Sequence, residues 1–277
     1  MKKIFNILIE HCLALYRVYL LGHLPLFWFR GTKNFGDVLN VYLAEKLSKK
    51  KVVWVNPSFW PFKHYLMIGS IVQFARRKSI IWGSGVISES SEIPSPYRVL
   101  ATRGPMSQAR FSSTGISCPS IYGDPAILLP TFYTPKCDIK KWKLGVVPHY
   151  VDKNNDFIAV LRDTPDVCIL NIETDNVEKF VDELNQCEAV ISSSLHGIIV
   201  AEAYGIPAGW LVLSDKLMGG AFKFNDYYES TGRSGIKPVA LSEDGLDIPS
   251  IISQIPIDRP KSDIKALLSS CPFYSND

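Results

Sequence analysis

The chain is built from short apolar runs, each stopped by a turn that opens a stretch with helical spacing. Leu26-Phe27-Trp28-Phe29 reads as a buried strand ended by Gly31, and the turn Thr32 to Asp37 follows it. Val38, Leu39, Tyr42, Leu43 and Leu47 then mark one helical face, closed by the positive charge of Lys49 to Lys51. The same alternation recurs with strands at 52–55, 65–68, 80–82 and 99–102, a helix from Pro105, and a closing segment from Ile121 to Leu129. A second series has strands at 144–149, 167–170, 189–192 and 210–213, with helices at 176–185 and 195–204. Gly205 and Pro207 stop the last of these helices. Strands that alternate with helices predict an α/β protein with mostly parallel sheets covered on both faces. In such sheets ligands bind at the carboxyl ends of the strands, on the turns that lead into helices.

Length and composition narrow the class further. A chain of 277 residues suits two domains. The Pro- and Lys-bearing stretch Pro130 to Lys143 is the expected linker, which divides the chain into residues 1–135 and 136–277. The apolar segments Ile251 to Ile255 and Ile264 to Leu268 read as terminal helices, candidates to cross back onto the first domain. A net charge of +3 is too weak to imply nucleic acid, and is compatible with small anionic ligands. The six cysteines form no C-x-x-C pair, which points to a reduced, cytoplasmic protein. No D-x-D pair and no ligand-spaced His/Cys/carboxylate cluster is present, so no metal is expected.

The apolar stretch from Ile4 to Leu21 has two readings. It follows Lys2 and Lys3, lacks a small-residue cleavage site, and is interrupted by Glu10, His11 and Arg17. One reading is a helix packed on the core. The other is an interfacial helix that docks the chain at the inner face of the cytoplasmic membrane.

Four turns carry groups suited to chemistry. Asn34-Phe35-Gly36-Asp37 opens the first helix; Gly36 admits a close backbone approach and Asp37 suits a cap or a base. Gly83-Ser84-Gly85 follows a strand, and its backbone N–H groups suit an oxyanion; a tight turn explains it equally well. Arg103-Gly104-Pro105-Met106-Ser107 sets a guanidinium at a helix start, where the fork and the dipole both favour an anion. Ser192-Ser193-Ser194-Leu195-His196-Gly197 ends a strand in hydroxyls, and His196 can exchange a proton near neutral pH. His149, in Val147-Pro148-His149-Tyr150, is a further candidate. Trp28, Phe35 and Tyr227 suit either sugar stacking or the core, and Asn225-Asp226-Tyr227-Tyr228 reads as a polar-aromatic loop for an acceptor.

Taken in order, these elements resemble the polysaccharide pyruvyltransferase family. They are Asn34 with Gly36-Asp37, Gly83-Ser84-Gly85, Arg103 with Ser107, and Ser193 with His196-Gly197. The resemblance spans roughly residues 26 to 210. It implies two Rossmann-like domains facing across a cleft in the GT-B manner, with the donor held in the cleft. Glu202-Ala203-Tyr204-Gly205-Ile206-Pro207 also resembles a GT-B donor-side helix. One departure stands out: some members carry Arg where this chain has Ser194, so Arg103 or Lys33 is expected to supply the missing charge.

The activity implied is transfer of pyruvate from phosphoenolpyruvate to a sugar of a cell-surface polysaccharide or its lipid-linked precursor, as a cyclic ketal. Phosphoenolpyruvate is the donor substrate, and no cofactor is expected. His196, Arg103 and Asp37 are the expected catalytic residues. Asn34, Gly36, Gly83, Ser84, Gly85, His149, Ser193, Ser194, Leu195, Gly197 and Glu202 are the expected binding residues. Two rivals share the fold class: a nucleotide-sugar glycosyltransferase with Glu202 on a ribose, and a non-catalytic subunit of a capsule-assembly complex.

Overall fold

The computed structural model describes residues 2–136, 139–241 and 247–274. Cys137 and Asp138 of the expected linker lie outside the described residues, as does the end of the chain from Ser275.

The strands fall where the apolar runs predict them, within a few residues. The first set is β1 (Leu24–Phe27), β2 (Val52–Trp54), β3 (His64–Leu66), β4 (Ser79–Trp82) and β5 (Arg98–Ala101). The second is β6 (Trp142–Val147), β7 (Val167–Ile169), β8 (Cys187–Ser192) and β9 (Ala208–Trp210). They form two sheets, ordered β2-β1-β3-β4-β5 and β7-β6-β8-β9. Every pairing within them is parallel. Trp28 and Phe29 lie beyond β1, because the Trp28 carbonyl accepts from the Trp54 indole at 3.0 Å and leaves the ladder.

Nine helices join the strands among the described residues. They are α1 (Lys2–Tyr19), α2 (Phe35–Ser48), α3 (Pro105–Ser113), α4 (Asp156–Arg162), α5 (Val177–Leu184), α6 (Leu195–Ala203), α7 (Phe222–Ser230), α8 (Ile248–Ser253) and α9 (Ile264–Ser269). Asn34 caps α2 by accepting from the Gly36 N–H at 3.4 Å, and Pro105 occupies the first turn of α3. The expected closing segment is a 3-10 stretch, Pro125–Thr131, capped by Asp124. α4 and α7 fall where the sequence suggested no helix.

One apolar core runs through both sheets. Phe35 of α2 meets Phe180 of α5 at 4.1 Å between ring centroids, and the Phe35 N–H donates to the Ile172 carbonyl. α6 is buried along its length, with Ile198, Ile199 and Val200 inaccessible, and packs on Pro125–Thr131. Each such side chain contributes ~1.5–3 kcal/mol by burial, so the sheets are joined by an interior and not by a surface contact.

Two later helices cross to the first sheet. The Trp82 indole of β4 donates to the Leu267 carbonyl and the Ser270 hydroxyl at α9, both at 3.0 Å. α7 packs on α3. At the other edge, Ala14 of α1 is buried beside Val53, Val55 and Trp60. Among the described residues, no helix is long and apolar enough to cross a membrane.

Candidate active site

A cavity of about 270 Å³ opens between the two sheets. Its polar lining comes from turns at the carboxyl ends of strands. Asn34 and Asp37 follow β1, Ser70 follows β3, His149 follows β6, and Ser194, Leu195 and His196 follow β8. Lys216 and Lys223 come from the segment after β9.

The two halves approach closely here. A Cβ at Gly36 would run into the His196 imidazole, so only glycine lets the start of α2 meet the start of α6. The second partner of His196 comes from the first sheet's side: its Nε2 lies 3.5 Å from Asp124 Oδ2. Both atoms are buried and otherwise without a hydrogen bond. Asp124 is held in place from its other oxygen, which accepts from the Ala126 N–H at 3.0 Å. A buried carboxylate beside an imidazole orients the ring.

The neighbouring groups are tuned by burial. Asp37 is pushed up to about 6 by desolvation, partly opposed by His196, Asn34 and the Phe29 backbone. His149 is pushed down to about 4, first by burial and then by the Lys223 charge. Lys223 is pushed down to about 8 by burial and by the Arg103 charge. It remains a cation at neutral pH, and it has neither a hydrogen bond nor an ion pair among the described residues; its ammonium sits 5.4 Å from the Phe224 ring centre. The Ser194 side chain makes no capping bond to α6, although its carbonyl accepts from the Gly197 N–H at 3.1 Å.

Several expected site residues lie elsewhere. Arg103 is fully buried, with Nε on Asp226 Oδ2 at 2.9 Å, Nη1 on the Ser70 hydroxyl and Nη2 on the Val86 carbonyl. Its fork is satisfied inside the protein and does not line the cavity. Gly83, Ser84 and Gly85 form a packing turn: Gly83 has φ +83° against Pro125, Gly85 leaves room for the Arg103 guanidinium, and the Ser84 hydroxyl donates to the Gly69 carbonyl. Their N–H groups at 83 and 85 donate to Ala101 and Gly69. Ser193 is committed to Asp152 and to the His149 N–H, both at 2.8 Å. Gly197 gives space to Ser192 and Val147. Glu202 takes two bonds from Arg233, at 2.6 and 2.8 Å, and one from the Tyr227 hydroxyl at 2.6 Å, which leaves nothing for a ribose.

Other expectations also change. Lys33 pairs with Asp175 at 2.7 Å on the surface. Asn225 to Tyr228 belong to α7, where Asp226, Tyr227 and Tyr228 are buried, and Phe35 is core.

Asp124, Asp152, Lys216 and Lys223 escaped the sequence reading. Asp152 accepts from Ser193 and Ser214, at 2.8 and 2.5 Å, and so ties the His149 loop to the ends of β8 and β9. The sequence signals were slight: Asp124 sits in Gly123-Asp124-Pro125 after an apolar run, and Lys223 lies between two phenylalanines. Among the described residues, no trio of His, Cys, Asp or Glu is placed to hold a metal ion.

Parallel sheets whose strand ends gather an imidazole, a carboxyl of raised pKa and an ammonium define an α/β protein with a polar cavity at the carboxyl ends of its strands. The chain belongs to the polysaccharide pyruvyl transferase family, whose pattern matches residues 26–215. An uncharacterised protein of Acanthamoeba polyphaga mimivirus, L143, is 32% identical over 204 residues, covering 72% of this chain and 71% of that protein. The succinoglycan biosynthesis protein ExoV of Rhizobium meliloti is 24% identical over 222 residues; the match spans 75% of this chain and 65% of the length of ExoV. A solved Klebsiella pneumoniae protein of uncharacterised function aligns over 81% of this chain and 93% of its own, with 12% identity and a TM-score of 0.45.

Proposed function

We propose that this protein transfers pyruvate from phosphoenolpyruvate to a sugar of a polysaccharide or its precursor, forming a cyclic ketal and releasing phosphate. Family membership supports pyruvyl transfer. The observation that carries the donor assignment is Lys223, a largely buried side chain whose ammonium makes no hydrogen bond or ion pair among the described residues, lining the same cavity as the start of α6. A cation that lines a cavity and has no hydrogen-bonded carboxylate of its own favours a negatively charged ligand there. Phosphoenolpyruvate brings a carboxylate and a phosphate.

In this reading the two sheets act as facing domains of the GT-B kind. Ketal formation converts the methylene carbon of the donor to a methyl group and joins both acceptor oxygens to its neighbour. The two hydroxyls lose two protons. One balances the proton added to the methylene, and the other leaves on phosphate. His196, steadied by Asp124, moves the proton at the donor. Asp37, with its pKa raised toward neutrality, is the better base for the acceptor hydroxyl.

The test is thermal stability with phosphoenolpyruvate alone. At 100 times its Kd a ligand adds ~2.7 kcal/mol, which moves Tm by roughly 5–10 °C at ~2–4 °C per kcal/mol. The shift is expected in the wild type and lost in Lys223→Met. A shift given by nucleotide sugars and not by phosphoenolpyruvate overturns the reading.

A further inference from the structure

From Ile9 onward the outer face of α1 is apolar and has no partner among the described residues. Ile9, Leu13, Tyr16 and Leu20 recur at helical spacing and are all exposed, Leu20 at 74%. A loop extends this face sideways. Its Trp60 meets His11 at 5.2 Å, its Phe62 meets Tyr19 at 5.2 Å, and Phe59 and Phe62 are exposed. About half of the exposed large hydrophobic side chains among the described residues gather in this one patch, where a soluble surface scatters them singly.

Its margins are basic. Arg17 is exposed on α1, whose one acidic residue is Glu10. Lys49, Lys50 and Lys51 adjoin the end of the helix, where the Lys51 carbonyl accepts from Leu24, and Lys63 follows Phe62. Of these, Lys51 pairs with Glu45, Lys63 lies over the Tyr97 ring at 4.2 Å, and Lys49 is also engaged within the protein. Exposed leucines and tyrosines bordered by lysine and arginine suit the boundary between acyl chains and anionic headgroups.

The patch is also continuous with the cavity. Trp54 lies beside His11 and Ala14 of α1. From Trp54 a row of ring contacts passes to Phe27 at 6.3 Å, to Phe74 at 5.3 Å and to Phe29 at 6.2 Å. Phe29 and Phe74 line the cavity.

We infer that α1 and the Phe59–Phe62 loop seat this protein on an anionic lipid bilayer surface, flat and without spanning it.

The full chain is to be floated with vesicles of phosphatidylcholine mixed with phosphatidylglycerol, and with phosphatidylcholine alone. Binding is expected to the mixed vesicles, to weaken as salt rises, and to be far weaker without the anionic lipid. Leu13→Glu with Leu20→Glu is expected to lower partitioning by about 100-fold or more, with Tm unchanged. Phe59→Asp, on a different element, is expected to lower it as well. Absence of binding to the mixed vesicles, or equal binding by wild type and both variants, overturns the inference. A dimer in light scattering that the helix variant splits, without vesicle binding, assigns the face to a second copy and also overturns it. The result is independent of the donor: both variants are expected to keep the shift with phosphoenolpyruvate even where they lose the vesicles.

Discussion

Two buried polar clusters share helix α7 and differ in how they are completed. On one side of the helix Asp226 receives the Arg103 guanidinium, the Ser107 N–H at 2.8 Å and the Ser107 hydroxyl at 2.6 Å. One turn earlier on the same helix, Lys223 lines the cavity with no hydrogen bond or ion pair among the described residues. The Arg103 cluster satisfies itself and therefore binds α7 to α3. The cavity cluster is left open, with Asp124 Oδ2 and His196 Nε2 also short of hydrogen bonds. A native protein tolerates such orphans where a ligand is to complete them. Arg103 is then a positioning residue: it holds the helix that presents Lys223.

The comparison is sharpest in variants that move one cluster and spare the other. The largest effect is expected in His196→Ala, with turnover down ~10²–10⁴-fold. It is measured as phosphate release from phosphoenolpyruvate in the presence of acceptor-bearing extract. Arg103→Ala is expected to act on stability first, because it strands Asp226 in the interior at a cost of ~3–5 kcal/mol. Denaturant unfolding reads that loss. An Arg103→Ala protein with wild-type stability and no donor binding breaks the division between the two clusters.

The next effect is a pH dependence that wild type conceals. Asp37 has its pKa raised to about 6, so the folded state binds the extra proton and stability falls as pH rises from about 4 to 6. His149 has its pKa lowered to about 4, so the unfolded state binds the extra proton and stability rises from about 4 to 6.5. Each shift is worth roughly 3 kcal/mol, and the two slopes oppose. Asp37→Asn is expected to expose the rising slope, with greater stability at pH 7 and lost activity. His149→Gln is expected to expose the falling slope. Chemical denaturation across pH 4–7 checks both, and parallel curves for the two variants contradict the assignment.

The smallest effect is on the donor. Lys223, with its pKa lowered to about 8, sheds its charge as pH rises through that value. The affinity for phosphoenolpyruvate is expected to drop by about tenfold between pH 7 and 9 in wild type, beyond any change in Lys223→Met. Calorimetric titration at the two pH values measures it.

The strands were readable because each is a short apolar run stopped by a turn, and turns rely on neighbouring residues alone. That also made Asn34, Asp37, Ser194 and His196 visible, since each opens a helix after a strand. Arg103 was misjudged for a physical reason. Its turn is local, but Asp226, which consumes its fork, lies 123 residues away. Glu202 failed similarly, because Arg233 is distant in sequence and comes into range only through the fold. Lys223 was hidden by the reverse effect: a lysine between phenylalanines in a segment without helical periodicity reads as surface, and α7 forms there because α3 and the core hold it. The pairing of His196 with Asp124 needs both sheets and is not written in either half alone.

Gly36 has a mechanical consequence. Its missing side chain brings the starts of α2 and α6 into contact, and the shared interior around Phe35 and Phe180 clamps them at that separation. The glycine acts as an end stop with no slack. The spacing between the Asp37 end of α2 and the His196 end of α6 is thus set when the chain folds, by contact between backbone and ring and not by a hinge.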